Sequence, residues 1–133
     1  MKNFTIKELV HPYIRSILSP ELCWRLIPDY AQDGLDRLRD LYGGRIWINS
    51  GEHDSRGIRP INDPDGAKYS GHKGYRGLTC FDLVCHDPAR LRGVIEAHWQ
   101  ELSIGEVERY EYTPTWTHVA FVYLPKTLRF INP

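Results

Sequence analysis

Three side chains in this sequence have the types and spacing to hold a catalytic metal ion: His72, Asp82 and His118. His72 lies in Ser70-Gly71-His72-Lys73, Asp82 in Thr79-Cys80-Phe81-Asp82-Leu83, and His118 in Trp116-Thr117-His118-Val119. Two imidazoles and a carboxylate are the donor set of a catalytic zinc site, which uses three protein ligands and leaves one position open. A structural zinc site more often closes with four ligands, many of them paired cysteines, and no C-x-x-C occurs here. The chemistry implied is metal-assisted hydrolysis. A histidine near a strand end also serves purely structural roles, so spacing alone leaves both readings open.

The elements around these residues decide whether they can meet. Residues 78–84 read as a strand, in which period two puts Cys80, Asp82 and Val84 on one face. A carboxylate in so apolar a strand is costly unless paired, hydrogen-bonded or metal-bound. Residues 117–124 read as another strand, with His118 near its start, and 107–112 as a further one, the two joined around Pro114. If the strands of Asp82 and His118 are neighbours, the two meet across the sheet, and His72 swings in from the preceding loop. Upstream, the N-terminal third reads helical. Ser19-Pro20-Glu21 starts one helix and Pro28-Asp29 a second, with Ala31, Leu35, Leu38 and Tyr42 at helical spacing and Gly43-Gly44 as its end. Residues 45–50 read as a strand. Residues 51–68, rich in Gly, Pro, Asp and Arg, read as a long loop of the kind that often carries function. Asp87-Pro88 caps a helix to about Leu102, with Leu91, Val94, Ile95 and Trp99 on one stripe. This order predicts an α+β fold, a small antiparallel sheet packed against helices.

Bulk properties narrow the classes. The 133 residues suit one domain over 1–133, long enough to bury a core without disulfide or metal staples. Lys+Arg and Asp+Glu both number 17, so the basic excess of a nonspecific nucleic-acid binder is missing. No stretch approaches the roughly 20 apolar residues that span a bilayer, which argues against membrane insertion. The first residues show no secretory signal. Three cysteines, Cys23, Cys80 and Cys85, form an odd count that reads as reduced, buried thiols in a cytosolic setting. His11, His53, His86 and His98 have no partner at ligand spacing.

The motifs together resemble a family. Ser70-Gly71-His72, Asp82 and the distant Trp116-Thr117-His118 follow the S-x-H…D…W-x-H pattern of zinc peptidases acting on peptidoglycan peptides. These are the D-Ala-D-Ala carboxypeptidases, dipeptidases and L-Ala-D-Glu endopeptidases, which share a fold with the Hedgehog signalling domain. The chain is most similar to small phage-encoded members in four phrases: residues 3–10, 55–60, 66–72 and 113–118. Order and context support a motif more than its letters do. Two features depart from the pattern. Nine residues separate His72 from Asp82, a longer gap than the family's, with Gly74-Tyr75-Arg76-Gly77 as the apparent insertion. Thr115 stands where many relatives carry a catalytic carboxylate three residues before the last histidine.

The resemblance implies a Hedgehog/DD-peptidase-like fold and one Zn2+ per chain held by His72, Asp82 and His118. It implies a glutamate base on the strand before Trp116, either Glu108 or Glu111, which strand alternation puts on opposite faces. It implies an oxyanion-stabilising arginine from the loop after the first strand, Arg59 first and Arg56 second. Ser70 would hydrogen-bond a ligand or the substrate, or shape its turn, and Trp116, like Arg56, would contact the substrate or support a ligand. The expected substrate is a peptidoglycan stem peptide, cleaved as by an endolysin or a carboxypeptidase, in the host cytoplasm or in a virion. The other function compatible with the two departures is a non-catalytic structural or binding module that contacts other virion proteins.

Overall fold

Two strands with apolar residues at alternate positions form the centre of the sheet. In the computed structural model, which describes residues 1–48, 57–63 and 71–132, β1 spans Ile46–Ile48, β2 Thr79–Cys85, β3 Ile104–Glu108, β4 Thr117–Phe121 and β5 Arg129–Ile131. Their spatial order is β1-β2-β4-β3-β5. Neighbours are antiparallel except β3 and β5, which run parallel, so the expected antiparallel sheet is a mixed one.

Period two sorts the side chains of this sheet onto two faces. Phe81 and Leu83 of β2, Val107 of β3, and Val119 and Phe121 of β4 belong to the main core. Cys80 and Asp82 of β2 and His118 and Ala120 of β4 have the opposite parity. A bulge between Ile104 and Glu106 extends the pattern to β3. Without it, Ile104 and Glu106 would share a face. The extra residue, Gly105, lets Ile104 join the core while Glu106 and Glu108 turn to the face of His118.

Helices cover the core face. Helix α4 (Asp29–Tyr42) buries Ala31, Leu35, Leu38 and Tyr42, as its periodicity predicts, and ends at Gly43 in the left-handed conformation (φ 73). Helix α5 (Pro88–Leu102) is capped by Asp87, whose carboxylate accepts from Arg90 N–H at 3.0 Å, and buries Leu91, Ile95 and Leu102. Three short helices precede them: α1 (Ile6–Leu9), α2 (Pro12–Ile17) and α3 (Pro20–Arg25). Ser19 caps α3, as expected. Helices of four to six residues are too short to show a 3.6-residue period, so α1 and α2 leave no pattern of their own. Cys23, Cys80 and Cys85 are buried free thiols.

Three expected boundaries differ. Ser103 closes α5 with a left-handed backbone (φ 58), so β3 starts at once and ends at Glu108; residues 109–116 form turns, not the expected strand 107–112. Strand β4 ends at Phe121, ahead of Leu124 (φ 46) and Pro125. Strand β5 follows that turn with three residues, too few for alternation to be read. Asn49, Ser50 and most of the expected loop 51–68 lie outside the described residues. Within 57–63, Ile58 bonds the backbone of the α1–α2 junction, donating to Leu9 O and accepting from His11 N–H at 2.8 Å each. Among the described residues, no helix is long and apolar enough to cross a membrane.

Candidate metal centre

Asp82 and His118 are cross-strand partners in the register of β2 and β4. His118 Nδ1 lies 2.8 Å from Asp82 Oδ1. His72 arrives from a 3₁₀ turn, Gly71–Lys73, that packs on β2. Its Nε2 lies 3.4 Å from the same Oδ1. The two rings meet edge to face, with centroids 5.0 Å apart. One donor atom from each of the three residues falls within 4.8 Å of the others.

The backbone fixes His72 in one tautomer. His72 Nδ1 lies 2.9 Å from Gly57 O, and a carbonyl only accepts, so Nδ1 carries a proton and Nε2 is the nitrogen turned to Asp82, donating to it when protonated and able to ligate a metal when not. A metal-ligating histidine typically commits its second nitrogen in this way. Arg59 N–H donates to His72 O at 2.9 Å, so residues 57–59 grip the turn from both sides. Close approach makes this possible. A Cβ on Gly57 would lie 2.2 Å from Leu9 O, and one on Gly71 would lie 2.3 Å from Cys80 Sγ. Gly71→Ala is therefore expected to destabilise the fold by about 1–3 kcal/mol and to weaken metal binding by displacing His72. Thermal unfolding and a zinc titration measure the two effects.

The segment from Gly74 to Gly77 does not part the cluster. Tyr75–Gly77 form a second 3₁₀ turn, and the backbone is left-handed at Gly74 (φ 80), Arg76 (φ 60) and Gly77 (φ 67). The His72–Asp82 contact spans this turn.

Electrostatics bind the three groups together. Burial alone would raise the Asp82 carboxyl, but hydrogen bonds from His118 and His72 outweigh it and hold the group well below the carboxylate range. Burial opposes charge on His118, yet its hydrogen bonds, to Asp82 first and Cys80 second, push it up to about 10. Without metal, His118 and Asp82 thus form an ion pair. The raised His118 value means that its stabilisation is complete below the unfolded value of 6.5 and is lost as pH rises towards about 10. The lowered Asp82 value means that its share is present above about 3.9 and is lost in stronger acid. Metal ligation needs the neutral imidazole, so added zinc should reverse the alkaline trend. Calorimetry of chelator-treated protein should show Tm falling as pH rises from 6.5 towards about 10, while the increment from zinc grows.

Of the two candidate bases, the fold favours Glu108. It is half-buried at the end of β3, on the face of His118. Burial raises its pKa, and the charges of His118, Asp82 and His72 all act on it. Glu111 is exposed in the turn that follows. The expectation that strand alternation sets the two on opposite faces does not apply, because Glu111 is outside any strand. Arg59 is buried, 5% exposed, beside the turn of His72. Trp116 is half-buried, and its carbonyl accepts from Arg92. Thr115 is exposed. Ser70 and Arg56 lie outside the described residues.

Sequence reasoning missed Arg92. This α5 residue is 8% exposed. Its guanidinium donates to Thr117 Oγ1 (3.0 Å), Thr113 O (3.0 Å), Thr113 Oγ1 (2.9 Å), Trp116 O (3.1 Å) and Glu108 O (3.4 Å). It thereby ties together the connection whose ends carry Glu108 and His118. Its one sequence signal is a cation next to Leu91 on the buried stripe. Arg92→Met should cost about 3 kcal/mol or more, because it strands buried carbonyls, as chemical denaturation would measure.

Compared with protein-family models, with curated proteins and with solved structures, the chain matches none.

Proposed function

We propose that this protein is a zinc-dependent peptidase that hydrolyses a peptide bond in bacterial peptidoglycan stem peptides, on a Hedgehog/DD-peptidase-like fold. The observation that carries the reading is the convergence of His72, Asp82 and His118 within 4.8 Å, with Glu108 on the same sheet face. Two neutral imidazoles and one carboxylate suit zinc better than they suit calcium or magnesium, which favour oxygen donors. The stem-peptide substrate and a phage setting, in the host cytoplasm or in a virion, rest on the motif resemblance.

His72 Nε2, the Asp82 carboxylate and a His118 ring nitrogen would hold the ion. A zinc ion there supplies Lewis acidity, polarising a carbonyl and acidifying water. Glu108 accepts the proton of the attacking water and returns it to the leaving amine, a role its raised pKa suits. The Gly57–Arg59 segment keeps His72 in the required tautomer. The Arg59 guanidinium, from the same segment, supplies positive charge to the developing oxyanion.

Incubating zinc-loaded protein with purified peptidoglycan and quantifying newly exposed amino groups tests the assignment. Progressive release supports it, and bound zinc without release refutes it. That second outcome belongs to a non-catalytic virion module, a reading favoured by Thr115, which puts a hydroxyl where many relatives have a carboxylate.

A further inference from the structure

The His118 ring has one nitrogen committed to the cluster and one turned elsewhere. Nδ1 faces Asp82 Oδ1 at 2.8 Å, which leaves Nε2 for another partner. An imidazole that ligates a metal through one nitrogen is usually held by a hydrogen bond at the other, and losing that outer partner costs about 10–100-fold in metal affinity. For His72 the outer partner is Gly57 O, 2.9 Å from Nδ1. Among the described residues the hydrogen-bond partners of the His118 ring are Asp82 and the Cys80 thiol.

The sheet explains why a thiol stands there. Cys80 pairs with Ala120 and Asp82 with His118, so Cys80 and His118 are diagonal neighbours on one face of the β2–β4 pair. Cys80 is 1% exposed. Gly71 closes over it, since a Cβ on that glycine would lie 2.3 Å from Cys80 Sγ. The turn that delivers His72 therefore also covers the thiol. Leu78, Ala120 and Val122 pack around Cys80. Shielded in this way, the sulfur meets little competition from water for the imidazole N–H.

Packing alone does not call for cysteine. The apolar neighbours ask only for a small side chain, which alanine would supply. What cysteine adds is a sulfur with lone pairs, a weak acceptor. Cys80 is not a fourth ligand: the donor atoms that gather within 4.8 Å of one another are those of His72, Asp82 and His118. We infer that Cys80 is a positioning residue of the metal centre, whose sulfur accepts the Nε2–H of His118 and so holds the tautomer that leaves the Nδ1 lone pair for the ion. Cys80 is to His118 what Gly57 O is to His72, with the opposite nitrogen engaged. This role rests on the metal centre proposed above and gives Cys80 no step in hydrolysis.

Zinc affinity, read by competition with a chromogenic chelator, tests the role on the full chain and on Cys80→Ala and Cys80→Ser. Alanine keeps an apolar group without the acceptor, so Cys80→Ala should bind zinc about tenfold or more weakly than wild type. Serine retains an acceptor, so Cys80→Ser should recover most of that loss. A packing role would not separate a hydroxyl from a methyl in this direction. In ¹⁵N spectra of the zinc-loaded wild-type chain, the His118 ring should carry its proton on Nε2 and the metal on Nδ1, a readout that stands even if Cys80→Ala fails to fold. Unchanged zinc affinity in Cys80→Ala overturns the inference. So does a Cys80→Ser chain as weak as Cys80→Ala, or a zinc-loaded ring with its proton on Nδ1. A wild-type chain that binds no zinc overturns the metal centre as well, an outcome distinct from the other three.

Discussion

Alanine in place of His118 should abolish stoichiometric zinc binding while leaving a folded protein. The wild-type chain should carry one zinc, and the variant's affinity should fall by at least about a hundredfold, beyond the 10–100-fold typical of losing only an outer hydrogen-bond partner. The fold should survive because Asp82 keeps His72, 3.4 Å away, as a partner for its buried charge. His118 also lies at the edge of the core: its side chain is 15% exposed, whereas its neighbours Val119 and Ala120 are fully buried. Metal analysis of both proteins, purified without chelator or histidine tag, reads the first effect, and circular dichroism reads the second. A variant that keeps its zinc at wild-type stoichiometry would remove His118 from the ligand set. A variant that loses both zinc and fold would show that the pair with Asp82 is structural first.

The second large effect concerns the proton acceptor. Glu108→Gln should lower kcat on peptidoglycan by about 10²–10⁴, the usual range for a positioned acid–base group, with zinc content unchanged. Glu111→Gln should leave turnover within about twofold, since solvated surface groups seldom contribute more than a few tenths of a kcal/mol. The contrast follows from the sheet. Glu108 ends β3 on the face of His118 and senses all three charges of the cluster, whereas Glu111 is exposed beyond the strand. Burial raises the Glu108 pKa, so the acidic limb of kcat/KM should lie above the ordinary glutamate range. Equal activity in both variants would show the base to be elsewhere. Zinc loss in Glu108→Gln would make Glu108 a ligand and not the base.

Much of this protein is legible in its sequence because local physics dictates it. The Ser19 and Asp87 caps, the buried stripe of α4, the glycine that ends it and the apolar alternation of β2 and β4 all depend on neighbours within a few positions. The cost of a carboxylate in an apolar strand already marked Asp82 as needing partners. The resemblance of spaced motifs named both of them, His72 and His118.

Only the tertiary structure decided the rest, and in each case the cause is a contact between distant segments. Glu108 and Glu111 are equal in type and close in sequence; where β3 ends separates them, and Arg92 of α5 bonds carbonyls at that end and in the turns that follow. The mixed sheet follows from three residues of β5 finding β3, which no alternation could announce. His72 is a ligand candidate in one tautomer because Gly57 O, 15 positions away, takes its other nitrogen. Glu106 was an ordinary strand residue until one bulge turned it onto the charged face. Residue types and local periods settle which groups are available and which elements form. Which atoms share a face, a proton or a cavity is set by long-range packing, whose energies depend on geometry that a linear pattern does not contain.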